Sequence, residues 1–78
     1  MKLQQRIDEN AAAMIAAAAA SSGDSVAEIA ARYEASGRYM QVCALTADGE
    51  TGEYNAVPTP AIIARAEHMV ATNFADCY

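Results

Sequence analysis

Apolar residues recur at intervals of three and four along the first twenty positions. The set consists of Leu3, Ile7, Ala11, Met14, Ile15 and Ala18. This spacing predicts a helix over residues 3–20 with one apolar face. Its second half, AAAMIAAAAA, has no polar face, and a helix that is apolar all round is typically buried or contacts neighbours on two sides. Gly23, after two serines, is suited to end the helix.

A second helix is predicted to begin after Ser25. Ser25 and Glu28 have the spacing of a capping box, in which each residue's side chain accepts a hydrogen bond from the other's backbone N–H. The helix then runs from Val26 to about Ser36, and Gly37 ends it. Its inward stripe is predicted to be Val26, Ile29, Ala30 and Tyr33.

The hydrophobic period changes after the second helix. Residues 38–47 are rich in strand-forming side chains, residues 48–52 carry a turn signal, and residues 53–57 predict a short second strand. The pattern is typical of a β-hairpin. Two inward faces remain open for the first strand: one with Met40, Val42 and Ala44, the other with Tyr39, Cys43 and Leu45.

The last helix is predicted to open at Thr59, with Pro60 at its first position. Its inward residues are predicted to be Ile63, Ala66, Val70, Phe74 and Cys77, with Ile62 and Met69 flanking, while Arg65, His68, Thr72 and Asp76 face outward. Since a lone hairpin is unstable in water, its apolar face must lie against the helices. The fold class is therefore α+β: one compact domain over residues 1–78, with three helices and one two-stranded antiparallel hairpin in the order α-α-β-β-α.

Composition limits what this core can do alone. Hydrophobic residues make up 54% of the chain, but twenty of them are alanines, which bring little apolar area. We therefore expect a marginal monomer, or one that a partner or a second copy stabilises. Small residues in the alanine helix would let another helix approach closely, so a homo-oligomeric phage component assembled through this helix is one alternative function. Glutamine at Ala16 or Ala17 would then break the assembly.

The net charge of −5, from ten acids and five bases, disfavours direct binding to nucleic acid or to an anionic membrane. It permits a basic protein partner. The predicted turn carries acids that could pair with arginines of such a partner, the strongest kind of charged hydrogen bond. The candidate partner-binding residues are Asp48, Glu50, Glu53, Tyr54, Tyr39 and Glu34.

No pattern in the chain indicates catalysis, and we assign no catalytic, cofactor or metal residue. His68 is the single histidine and has no second ligand at a metal-binding spacing. Cys43 and Cys77 form no metal or disulfide framework; we interpret them as reduced, with one bridge between them as the alternative. Asp8 and Glu9 lie just before the alanine run, which disfavours a signal peptide, so a cytoplasmic location in a bacterial host is expected.

The chain resembles small proteins of bacteriophages and mobile elements, among them the anti-CRISPR inhibitors. The shared features are a short acidic chain, compact helices with a hairpin over residues 38–57, and no catalytic constellation. The resemblance implies a stoichiometric inhibitor that binds a larger nucleic-acid-handling protein complex. Residues 25–38 are also similar to the opening of a helix-turn-helix, which keeps a regulator as a further alternative. The strand-like segment after Arg38 departs from that motif, because a recognition helix should follow.

Overall fold

A computed structural model of the chain describes residues 3–35, 40–45, 49 and 51–75. Within these residues lie three helices and two strands: α1 (Leu3–Ser22), α2 (Val26–Ala35), β1 (Met40–Leu45), β2 (Thr51–Ala56) and α3 (Pro60–Ala71). The three predicted helices are confirmed in number and in order.

Glycine and serine set the boundary between α1 and α2. Gly23 adopts a positive φ of 80°, and its N–H donates to the carbonyl of Ala19 at 3.0 Å, which satisfies one of the last carbonyls of α1. The Ser25 hydroxyl then accepts from the N–H of Glu28 at 3.2 Å. The N-cap half of the predicted capping box is therefore present, and α2 begins at the predicted residue.

The two strands pair antiparallel, with Val42 opposite Tyr54 and Met40 opposite Ala56. Val42 is fully buried and Ala56 is 7% exposed, so of the two open alternatives the face with Val42 lies against the helices. Glu53, which belongs to the opposite face by strand alternation, is exposed. β2 begins two residues earlier than predicted, and the positive φ of 82° falls at Gly49 rather than at Gly52.

The end of α3 differs from the prediction. Thr59 caps the helix as expected, its hydroxyl accepting from the N–H of Ile62 at 3.2 Å. The helix stops at Ala71, however, and does not continue through Phe74. Asn73 and Phe74 both adopt positive φ, and the N–H of Phe74 donates back to the carbonyl of Met69 at 2.7 Å. The reversed chain returns the Phe74 ring to the core from a turn instead of a helix.

Helix α1 lies at the centre of the fold and contacts every other element. Its buried side is shifted from the prediction: Met14 is 38% exposed, whereas Ala12, Ala16 and Ala19 are buried. Alanine carries no signal for which side faces inward, because the same methyl group tolerates either environment. The buried residues of α1 are Ile7, Ala11, Ala12, Ile15, Ala16 and Ala19.

The inward side of α3 agrees with the prediction at Ala66 and differs at Val70. Ile62, Ala66 and Met69 are buried at 0–2% exposure, whereas the predicted core residue Val70 is 39% exposed.

Among the described residues, no helix is both long and apolar enough to cross a membrane. The alternative of a bridge between Cys43 and Cys77 depends on Cys77, which lies outside the described residues.

Candidate functional site

The predicted partner-binding residues fall into two groups. Asp48, Glu50 and Tyr39 lie outside the described residues. The other three are Glu53, Tyr54 and Glu34. Glu34 is exposed at the end of α2, and Glu53 is exposed on β2. Tyr54 is half-buried and packs against the core, so it projects to the opposite face of the strand from Glu53. The acid and the ring therefore cannot contact the same flat partner surface.

Exposed charge on the described part of the chain is almost entirely negative. Glu28, Glu34, Glu53 and Glu67 are exposed, and Arg32 is the one exposed lysine or arginine among the described residues. Arg32 is already held in the structure, because its Nη1 donates to Oδ2 of Asp24 at 2.7 Å. That hydrogen bond is the main cause that lowers the pKa of Asp24 below its ordinary value.

A groove lies between the amino-terminal half of α1, the start of α3 and the end of β2. It consists of two adjoining clefts of about 490 and 310 Å³ that share Asp8 and Ile62 in their walls. Its floor is formed by the buried side chains Ile7, Ala56 and Ile62. We call the two clefts together the α1–α3 groove.

An ion pair forms the wall of the larger cleft. Arg65 Nε donates to Glu9 Oε2 at 2.9 Å, and Arg65 Nη2 donates to Glu9 Oε1 at 2.6 Å. This bidentate geometry joins residues 56 apart in sequence and fixes α3 against α1. The two side chains are 31% and 35% exposed. The expectation that Arg65 simply faces outward is therefore wrong, since it spans the two helices.

The smaller cleft combines a carboxylate, an aromatic ring and apolar surface. Asp8 contributes the carboxylate, and its Oδ1 accepts from Gln4 Nε2 at 2.9 Å. Tyr54 and Asn55 contribute from β2, with Val57, 44% exposed, beside them. A polar rim over an apolar floor is the usual composition of a binding cleft.

The sequence pattern did not reveal this groove. Asp8 and Glu9 entered the sequence argument only as residues that disfavour a signal peptide. One signal was available: two adjacent acids in the first half of α1 and an arginine in α3. Which of the acids the arginine meets depends on how the two helices dock, and no local pattern encodes that contact.

No group of three histidine, cysteine or acidic side chains placed to hold a metal ion occurs among the described residues. His68 is exposed on α3. Comparison with protein-family models, with curated proteins and with solved structures gives no match for this chain. The features of the described residues that bear on function are the acidic exposed surface and the α1–α3 groove.

Proposed function

We propose that this protein is a non-enzymatic inhibitor that binds the basic surface of a larger, nucleic-acid-handling protein complex, in the manner of the anti-CRISPR inhibitors. The observation that carries the proposal is the sign of the exposed charge. Four exposed glutamates are set against Arg32, which is held by Asp24. A surface of this sign attracts arginines and lysines that otherwise bind phosphates.

The neighbours of these glutamates favour close approach. On α2, Ala27 and Ala31 are exposed beside Glu28, and on α3, Ala64 and Ala71 are exposed on the same side as Glu67. Methyl groups do not project far, so the carboxylates of Glu28 and Glu67 extend beyond these alanines. A partner's guanidinium groups can then approach these two carboxylates over the alanines.

The hairpin contributes Glu53 to this surface. In our proposal, β1 and β2 form a hairpin in the folded protein in solution and hold Glu53 on the side away from α1. Nuclear Overhauser effects between backbone protons of Val42 and Tyr54 are expected from their antiparallel pairing. Helical chemical shifts over residues 40–45 would contradict the hairpin.

Affinity capture tests the proposed function. The wild-type chain and a variant with Glu28→Gln, Glu34→Gln, Glu53→Gln and Glu67→Gln are compared as baits in lysate of a bacterial host. All four positions are exposed, so the variant is expected to keep its fold, which circular dichroism checks. We expect the wild type, and not the variant, to retain a nucleic-acid-binding complex and to reduce its binding of nucleic acid. Equal retention by both baits, or retention without inhibition, would contradict the proposal.

A further inference from the structure

We infer that the α1–α3 groove binds the side chain of an arginine from the partner protein. The inference rests on the proposed function for the origin of that arginine, but the groove's preference can be measured without the partner. The two clefts that form it, of about 310 and 490 Å³, are lined by residues from both helices and from β2. The groove is thus a concave region of the surface that is large enough to admit a side chain.

The lining matches an arginine along its length. The aliphatic stem would lie on the apolar floor near Ala56, Val57 and Ile62, as long cationic side chains commonly do on apolar surface. The guanidinium would then reach the carboxylate of Asp8 and the ring of Tyr54. A carboxylate gives it a charged hydrogen bond and an aromatic ring gives it a cation–π contact, and both groups line the same cleft.

The charge of the groove favours a cation. Asp8, Glu9 and Arg65 line the larger cleft, and the bidentate pair neutralises Glu9. The Asp8 carboxylate is then the net charge of the groove. Gln4 Nε2 donates to Oδ1 of Asp8, which orients the carboxylate before a partner binds.

The amino end of α3 also opens on the groove, and a helix amino terminus attracts anions through its free N–H groups. Here those donors are largely removed. Pro60 has no N–H, the N–H of Ile62 donates to the Thr59 hydroxyl, and the N–H of Ile63 donates to the Thr59 carbonyl at 2.9 Å. An anion is therefore a poor match for this end of the groove.

Titration with a minimal arginine tests the inference. N-acetyl-arginine amide is added to the ¹⁵N-labelled full chain, and amide shifts are followed in two-dimensional NMR spectra. We expect saturable shifts at Asp8, Tyr54, Val57 and Ile62. Asp8→Asn should weaken this binding about tenfold, the loss expected for a charged hydrogen bond. The matched control, Asp24→Asn, makes the same substitution at an acid outside the groove and should leave the affinity within about twofold.

Three results would overturn the inference. Equal weakening by Asp8→Asn and Asp24→Asn would mean diffuse attraction to the acidic surface, which contradicts the groove but leaves the proposed function standing. Shifts at the groove with sodium acetate in place of the arginine derivative would mean an anion site. No saturable shift in a wild-type sample whose melting temperature is normal would exclude the groove. Saturable, Asp8-dependent binding together with a failed capture experiment would instead contradict the proposed function alone.

Discussion

Alanine lies on both the buried and the exposed side of the same helices. The other side chains on each side determine whether that side faces the core or the solvent. On the inside, Ala16 and Ala66 are fully buried beside Ile15 and Met69. On the outside, exposed alanines accompany glutamates, as Ala64 does Glu67 on α3. A methyl group is neutral between the two environments. The few large apolar side chains therefore determine the interior, and the charged side chains determine the exterior.

The largest difference between the two sides is expected at neighbouring positions of α3. Met69 is fully buried, whereas Val70 is 39% exposed. Met69→Ala should lower the free energy of unfolding by about 2–5 kcal/mol, because it leaves a cavity in the core. Val70→Ala should change it by about 0.5 kcal/mol. Urea denaturation measures both, and a larger loss for Val70→Ala would favour the inward stripe that the sequence pattern predicts.

A smaller difference is expected at neighbouring alanines of α1. Ala16→Leu forces three extra carbons into a filled interior and should cost about 1–3 kcal/mol, whereas Ala17→Leu adds them at an exposed site. Thermal denaturation measures both changes. The pair also tests self-assembly through α1. Ala16 is buried, so a substitution there acts on the fold itself, whereas exposed Ala17 is available to contact a second copy. If Ala17→Leu left the melting temperature unchanged but altered the oligomeric state in light scattering, the homo-oligomer alternative would gain support.

Glu9 and Arg65 are partly exposed and form an ion pair between α1 and α3. A double-mutant cycle with Glu9→Gln and Arg65→Met should give a coupling free energy of about 1 kcal/mol, near the upper end for partly exposed pairs, because the contact is bidentate. Chemical denaturation of the four proteins supplies the cycle. Additive losses would show that the pair does not hold α3 against α1.

The smallest effect is expected at Asp24, whose partner Arg32 is exposed to solvent. Its pKa is lowered by the hydrogen bond from Arg32, so the ionised form stabilises the folded state above the ordinary value of 3.8. That contribution is lost as the pH falls from 3.8 through the lower pKa of the folded state. NMR titration should show the depressed pKa, and Arg32→Gln should raise it. An unchanged pKa in Arg32→Gln would contradict the assigned cause.

The sequence predicted the structural features that are set by residues close together in the chain. It did not predict the features that depend on how the helices and the hairpin pack against one another. The starts of α2 and α3 follow from Ser25 and Thr59, whose caps act within one turn. The end of α3 was predicted incorrectly because Phe74 falls at the apolar spacing of a helix. Its backbone nevertheless adopts a positive φ, which ends the helix and forms a turn. The inward side of α1 was predicted incorrectly because alanine is neutral in the pattern. That of α3 was predicted incorrectly because Ile62–Ile63 and Met69–Val70 are adjacent apolar pairs, and either member of each pair fits the helical spacing.

The groove could not be predicted for a related reason. It requires Glu9 to meet Arg65 across 56 residues and Tyr54 to lie on the helix side of β2. The acidic excess, in contrast, is a property of composition and follows from the sequence alone. Its distribution over the exposed surface depends on the ion pairs that hold Arg32 and Arg65, and these form only when the helices are in place.

The salt dependence of partner binding tests most directly whether the acidic exterior is the binding surface. The affinity of the captured complex is measured at rising salt concentration for the wild type and for the variant with glutamine at positions 28, 34, 53 and 67. We expect wild-type affinity to fall steeply with salt, and the variant to bind more weakly with a shallower dependence, because screening acts on exposed charge pairs. Equal affinities with equal salt dependence would contradict the account.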